Sequence, residues 1–313
     1  MNKIAILIPC YNEEITIYKV VTDFKNALPD ADIYVYNNNS KDNTVAEAKR
    51  AGAIVVNEYK QGKGNVVRSM FQDIDADVYV MIDGDDTYPA DEVNKLIKPV
   101  IDDKADMVIG DRLSSTYYTE NKRAFHNFGN NLVRNLVNFL FKSHINDIMT
   151  GYRAFSKKFV KSMPVMSDGF QIETEMTVFS LVNHMNVVEV PITYRDRPEG
   201  SVSKLNTYKD GMKVLMTLFN LFKDNRPFMF FSAISLLFFI VGLIVGIPVI
   251  NEFIKTAYIT KVPSAVLAAA LMINSFLMLS VGIILDAIKN TKNFLFMANV
   301  NNEVSKIERK QKD

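Results

Sequence analysis

Two stretches without a charged residue, Phe228 to Ile250 and Ala265 to Leu285, constrain this 313-residue chain more than any other feature of its sequence. Crossing a hydrocarbon core about 30 Å thick takes roughly 20 apolar residues in a helix, and each stretch reaches that length. A soluble helix so long shows a polar face, whereas the most polar member of the second stretch is Asn274. The expectation is a two-helix transmembrane hairpin closed by the short connection Asn251 to Lys261. Lys223, Arg226, Lys289, Lys292, Lys306, Arg309, Lys310 and Lys312 flank its outer ends, with Lys255 and Lys261 in the connection. The positive-inside rule then places both termini, and the domain before the hairpin, in the cytoplasm of a multi-pass cell-membrane protein. At the N-terminus the apolar run Ile4 to Pro9 is brief and meets Asn12-Glu13-Glu14 at once, which reads as a first strand and not a signal peptide.

The first 110 residues alternate strand and helix patterns. Strands are expected at Ile4 to Ile8, Ile33 to Tyr36, Ile54 to Val56, Val78 to Ile82 and Met107 to Ile109. Helices are expected near Thr16 to Ala27, Thr44 to Ala51, Asn65 to Ile74, and from Pro89 onward. That rhythm predicts an α/β domain with a mostly parallel sheet covered on both faces. Beyond Arg112 the pattern turns to an amphipathic helix, Asn127 to Lys142. A second, Tyr208 to Lys223, leads into the first apolar stretch. Its Met212, Leu215, Met216, Phe219 and Phe222 suit a bilayer surface, with Lys209 and Lys213 toward head groups.

Composition removes several function classes. A net charge of +1 and no basic stripe argue against nucleic acid as a partner. The single cysteine, Cys10, leaves no disulfide or cysteine-based metal framework. His126, His144 and His184 do not fall at metal-ligand spacing. Neither apolar stretch holds the charged residue that marks a transport pathway.

Asp83-Gly84-Asp85 directly follows the apolar run Val78 to Ile82, and Pro89 opens the next helix. Ligands of open α/β sheets bind at the carboxyl ends of such strands, so two carboxylates there suggest a metal site. Other short segments stand in a telling order: Ile8-Pro9-Cys10-Tyr11-Asn12-Glu13-Glu14, Asn37-Asn38-Asn39-Ser40-Lys41-Asp42-Asn43-Thr44, Gly62-Lys63-Gly64, Gly110-Asp111-Arg112, Asp147 with Gly151-Tyr152-Arg153, and Pro191 to Lys204. The ordered set resembles the family 2 glycosyltransferases of the GT-A fold. Within them it resembles the polyprenyl-phosphate sugar transferases, which include dolichyl-phosphate mannose synthase and bactoprenol glucosyltransferases. The resemblance covers about residues 3 to 210.

The resemblance implies a Rossmann-like GT-A catalytic domain over residues 1–205, followed by an interfacial helix at 206–225. A hairpin at 226–290, with spans about 228–250 and 265–285, and a basic cytoplasmic tail at 291–313 complete the expected division. It implies inverting transfer of a hexose from a nucleotide sugar to polyprenyl (undecaprenyl) phosphate. UDP-glucose is the first choice of donor, with UDP-N-acetylglucosamine or another hexose as alternatives. Pro9, Tyr11, Asn12, Glu13, Asn38, Lys63, Asp83 and Asp85 are the expected donor-binding residues.

The departing diphosphate calls for Mg²⁺ or Mn²⁺, held by Asp85 first and Asp83 second. Arg112, Arg123, Arg153 and Lys204 are expected around the acceptor phosphate, and Asp147 as catalytic base or orienting charge. One departure stands out: Asn37-Asn38-Asn39-Ser40 occupies the place of the family's usual Asp-Asp-Gly-Ser. The Asn38 amide oxygen is expected to accept the uracil N3–H without charge assistance.

A polyprenyl monophosphate has a second pKa of about 6, so it is already a dianion at neutral pH and needs fixed cations more than a strong base. Two alternatives remain from the sequence. A processive polysaccharide synthase would carry a Gln-x-x-Arg-Trp segment, and this chain has no tryptophan. A catalytically silent nucleotide-binding scaffold would tolerate loss of Asp85 or Lys63, both of which are present. Gly242 and Gly246 form a Gly-x-x-x-Gly spacing compatible with homo-oligomer formation.

Overall fold

A computed structural model describes residues 2–114, 124–201, 204 and 207–310. The chain divides into two compact units, residues 1–218 and 219–313.

The first unit is built on a seven-stranded sheet. In chain order its strands are β1 (Ile4–Cys10), β2 (Asp32–Asn37), β3 (Ile54–Asn57), β4 (Val78–Met81), β5 (Met107–Asp111), β6 (Arg153–Ser156) and β7 (Val187–Pro191). In space they run β3-β2-β1-β4-β6-β5-β7. All neighbours pair parallel except β6, which runs antiparallel to β4 and β5. Five strands thus lie near the expected positions. Neither β6 nor β7 was expected; in β6, four residues that begin at an arginine carry no legible alternation.

Helices α1 (Ile17–Ala27), α2 (Thr44–Arg50), α3 (Lys63–Asp73) and α4 (Val93–Ile101) connect the first five strands, and a short 3₁₀ turn, Ala90–Glu92, precedes α4. Further along are α5 (Ala124–Phe141), α6 (Lys157–Ser162) and α7 (Ile172–Val182). Register places Ile6 beside Ile33 and Val80, so one face of the central strands presents Ile6, Ile8, Val35 and Val80. That face packs under Val20, Val21 and Phe24 of α1 and Val93, Leu96 and Ile97 of α4. Burying one such side chain contributes about 1.5–3 kcal/mol, which explains why strands covered on both faces read as continuous apolar runs. Because β2 and β3 lie on one side of β1 and β4 on the other, the chain reverses direction between β1 and β4. Ligands of open sheets sit at that crevice.

The second unit holds α9 (Pro227–Thr256) and α10 (Val262–Lys310); the unit boundary falls inside α8 (Thr207–Asn225). Both α9 and α10 are long and apolar enough to cross a membrane, and only 17% of the most apolar window of each is buried, unlike the core helix of a soluble protein. They pack antiparallel: Ser235 and Ser275 exchange hydroxyl-to-carbonyl hydrogen bonds of 2.8 and 2.9 Å, and their hydroxyls lie 3.0 Å apart. Small residues line the same seam. A Cβ on Gly246 would sit 3.4 Å from the Ala268 Cβ, and one on Gly242 would meet Met272 Sδ at 3.1 Å. Gly242 and Gly246 therefore serve close contact within the hairpin.

Candidate active site

Two turns at the carboxyl ends of β1 and β2 are stitched together before any catalytic group is placed. Asn12, in the left-handed region at φ 54°, donates its N–H to Ser40 Oγ at 2.9 Å, and its Oδ1 accepts the Lys41 N–H at 2.8 Å. The Glu13 N–H donates to Thr44 Oγ1 at 2.8 Å. These bonds direct Glu13 inward, where burial pushes its carboxyl up to about 7 despite the opposing pull of Lys204. Tyr11 stays half-buried beside it, and Pro9 lies in β1 opposite Tyr36.

Asp83-Gly84-Asp85 follows β4 on the other side of the crevice. Thr16 Oγ1 donates to the Gly84 carbonyl at 2.6 Å, tying this turn to the start of α1. A Cβ on Gly84 would lie 2.7 Å from Cys10 Sγ, so the turn passes directly over β1. Asp85 is buried. Its Oδ1 accepts from the Thr87 hydroxyl at 2.6 Å and from the Thr87 N–H at 3.2 Å, while its Oδ2 lies 2.5 Å from Arg197 Nη2. Burial, followed by the nearby Asp83 charge, raises the Asp85 carboxyl above its ordinary range.

Lys63 begins α3, immediately after Gly62 at φ 129°. Its Nζ stands 2.5 Å from Asp83 Oδ1 and 2.6 Å from Glu173 Oε1 at the N-terminus of α7. This buried ammonium is held between two carboxylates, and they keep its pKa above the lysine norm against the opposing effect of burial. The glycines on either side accommodate protein as the close neighbour: a Cβ on Gly62 or Gly64 would collide with the backbone of Ser167 and Asp168, and Gly64 N–H donates to the Asp168 carbonyl at 2.9 Å. Close approach here thus belongs to the 167–168 loop. Gly151 does the same for Asp83, whose carboxylate leaves no room for a Cβ.

Asn38 corrects another expectation. Its Oδ1 accepts from Gly62 N–H at 2.7 Å and Gln61 Nε2 at 3.1 Å, and its Nδ2 donates to the carbonyls of Glu58 and Lys60 at 2.9 and 2.8 Å. An amide offers two donors and two acceptor sites, and all four are used. Asn38 therefore shapes the 58–62 loop and has no oxygen to spare for a base. The two amide donors explain why asparagine, and not aspartate, stands here.

Just past β5, Arg112 Nε donates to Asp147 Oδ2 at 2.9 Å, Nη1 to Tyr88 Oη at 3.4 Å and Nη2 to the Met149 carbonyl at 3.1 Å. Tyr88 Oη also accepts from Gly151 N–H at 3.2 Å, linking this pair to Asp83 through Gly151. Asp147 is 1% exposed, and burial pushes its carboxyl up while Arg112 pulls it back.

Arg153 departs from expectation. It is 0% exposed and donates to the carbonyls of Thr150 and Ile148 at 3.1 and 2.5 Å and to Thr177 Oγ1 at 2.9 Å. Its guanidinium replaces missing backbone partners in the interior, a structural role and not an acceptor-phosphate one. Arg123 lies outside the described residues.

The segment after β7 crosses the crevice. Arg195 N–H donates to the Thr87 carbonyl at 2.9 Å, and Lys204 Nζ donates to the Asn12 carbonyl at 2.8 Å, 3.5 Å from Glu13 Oε1. Arg197 lies between them. The sequence pattern singled out the segment and Lys204 but not Arg197; a second cation seven residues before Lys204 in the same segment was the available signal.

Three groupings thus meet at one sheet edge: Glu13, Asp85, Arg197 and Lys204; Lys63, Asp83 and Glu173; Arg112 and Asp147. Among the described residues no group of three or more acidic, histidine or cysteine side chains forms a metal cage. Hard cations at phosphate sites typically use one or two carboxylates plus phosphate oxygens, and Asp85 supplies an oxygen that already attracts a cationic group. The donor set fits such an ion.

Comparison with known proteins agrees with this geometry. The model of the glycosyl transferase family 2 domain matches residues 5–163. The chain is 33% identical over 272 residues to glycosyltransferase AglJ of Haloferax volcanii, covering 87% of this chain and 89% of that protein. It is 29% identical over 213 residues to the dolichyl-phosphate hexose transferase of the same organism, covering 68% of this chain and 91% of the relative. Glucosyl-3-phosphoglycerate synthase of Mycobacterium tuberculosis, solved with Mn²⁺, UDP-glucose and phosphoglyceric acid, superposes with a TM-score of 0.59 at 20% identity, covering 71% of this chain and 80% of that one. At that identity the likeness is one of fold.

Proposed function

The chain belongs to glycosyl transferase family 2, and we propose that within it this protein moves a hexose from a UDP-sugar to a polyprenyl monophosphate, with inversion, at a membrane surface. The observation that carries this reading is the pairing of Arg112 with Asp147 next to the Asp83–Asp85 turn. A fixed cation linked to a pair of carboxylates suits an acceptor phosphate meeting a metal-bound donor diphosphate, and this supports the reading. A dolichyl-phosphate hexose transferase among the relatives supports the lipid acceptor.

Asp85, with Asp83 beside it, would hold a divalent cation, Mg²⁺ or Mn²⁺, which neutralises charge on the departing diphosphate. Glu13 and Tyr11 would meet the nucleoside. Arg112 orients the acceptor phosphate, a dianion at neutral pH that attacks the anomeric carbon without giving up a proton. Asp147, buried and bonded to Arg112, orients that arginine and is a positioning residue. Residues 1–205 form the catalytic domain, 206–225 an interfacial helix, 226–290 the membrane hairpin and 291–313 a cytoplasmic tail. The lysines and arginines outside the spans favour both termini on the cytoplasmic side.

The test is transfer of label from a panel of UDP- and GDP-hexoses to undecaprenyl phosphate, in membranes containing the protein with Mn²⁺ or Mg²⁺. An organic-soluble, acid-labile product is expected from at least one UDP-hexose and is lost in Asp85→Ala. No product from any donor, with the protein intact in the membrane, overturns the reading.

A further inference from the structure

Both carboxylates at the β1–β4 crevice are engaged by cations from a single segment. Arg197 Nη2 lies 2.5 Å from Asp85 Oδ2 and its Nη1 lies 3.9 Å from Glu13 Oε1, while Lys204 Nζ stands 3.5 Å from the same Glu13 oxygen. Thr87 consumes the other oxygen of Asp85 with two hydrogen bonds. Asp85 therefore has neither oxygen at the disposal of a metal ion as the side chains stand. The Arg197 side chain retains 28% exposure, so its guanidinium sits at the mouth of the crevice, within reach of an entering ligand.

The segment is anchored at two points that do not depend on Arg197. Arg195 N–H bonds the Thr87 carbonyl, and Lys204 Nζ bonds the Asn12 carbonyl. Between them Gly200, at φ 88°, turns the chain against Ile15. Arg197 can exchange partners by side-chain rotation while the strap stays in place. A guanidinium is a bidentate donor that accepts carboxylate and phosphate oxygens alike.

We propose that Arg197 is a positioning residue that competes with the divalent cation for Asp85 and releases it when the donor diphosphate offers replacement oxygens, so that cation and nucleotide bind as a coupled pair. This inference rests on the reading of Asp85 as the cation ligand. Its thermodynamic content is reciprocal: whatever factor by which the nucleotide tightens the cation, the cation tightens the nucleotide. In the empty crevice the Arg197 guanidinium lies between Glu13 and Asp85 and offsets the crowding of the two carboxyl groups.

The experiment measures Mn²⁺ binding by electron paramagnetic resonance on the full-length protein in detergent, alone and with saturating UDP, for wild type, Arg197→Gln, Arg197→Lys and Asp85→Asn. Wild type is expected to bind Mn²⁺ weakly alone and on the order of tenfold more tightly with UDP, a factor typical of coupled sites. Arg197→Gln is expected to bind Mn²⁺ alone several-fold more tightly than wild type and to lose most of the coupling. Arg197→Lys, which keeps the charge, should stay near wild type, and this also controls for folding.

Unchanged or weaker binding of Mn²⁺ alone by Arg197→Gln, with Arg197→Lys normal, overturns the competition while leaving Asp85 as ligand. Mn²⁺ binding with UDP that survives in Asp85→Asn overturns the site reading itself, and the competition with it.

Discussion

Lys63 Nζ stands 2.6 Å from Glu173 Oε1, and the same ammonium reaches Asp83 Oδ1 at 2.5 Å on its other side. One buried cation thus joins the end of β4 to the start of α7. Removing one member of a buried charge cluster strands the others, at about 3–5 kcal/mol. Lys63→Met should lower stability by about 3 kcal/mol, seen as a fall in melting temperature of the detergent-solubilised protein. Adding Glu173→Gln should recover more than half of that loss, because one uncompensated carboxylate has been removed. A double variant no more stable than the single one would show that Glu173 does not depend on Lys63.

Asp147 offers a second case in which the partner decides the role. Its Oδ2 accepts both the Nε–H and the backbone N–H of Arg112, at 2.9 and 3.3 Å. Asp147→Asn should reduce turnover by about 10²-fold through misplacement of Arg112, and should raise KM for the polyprenyl phosphate. The shape of the pH–rate profile should persist. Disappearance of the acidic limb in Asp147→Asn would instead mark Asp147 as a base.

Glu13 makes stability depend on pH. Burial raises its carboxyl from the usual 4.5 to about 7 in the folded protein. Between those values the native state holds a proton that the unfolded chain has released, so stability falls as pH rises across the window. The loss is on the order of 3 kcal/mol. In melting curves recorded without nucleotide or divalent ion, Glu13→Gln should flatten the decline seen in wild type between about pH 4.5 and about pH 7. An equally steep decline in the variant would assign the effect to another group.

Restoring aspartate at position 38, as in the family pattern, should harm this protein. Asn38 Nδ2 donates to the carbonyls of Glu58 and Lys60. Asn38→Asp would set a carboxylate against two carbonyl oxygens, costing about 1–3 kcal/mol and loosening the loop that precedes Lys63. A lower melting temperature and weaker UDP binding are expected by thermal shift and calorimetry. Tighter UDP binding would return Asn38 to the base-recognition role that its sequence position suggested.

The first five strands, their helices and the apolar helical hairpin were legible because local periodicity and run length set where their apolar residues fall. Ile4 to Ile8 and Val78 to Ile82 read as strands for the same reason they pack as strands. Glu13, Asp83, Asp85, Arg112 and Asp147, which the sequence motifs singled out, do come together at the carboxyl ends of the strands, because loops that follow parallel strands share one edge of the sheet. What the sequence alone could not determine was partnership. Arg153 and Arg112 look equivalent as sequence, yet one fills the interior with its donors on carbonyls and the other holds Asp147. Asn38, Gly62 and Gly64 turned inward to the protein's own loops, and Arg197 reached Asp85 across more than a hundred residues of chain. Hydrogen bonds and ion pairs act over about 3 Å between groups whose separation along the chain is arbitrary. Only the tertiary structure could decide which charges meet.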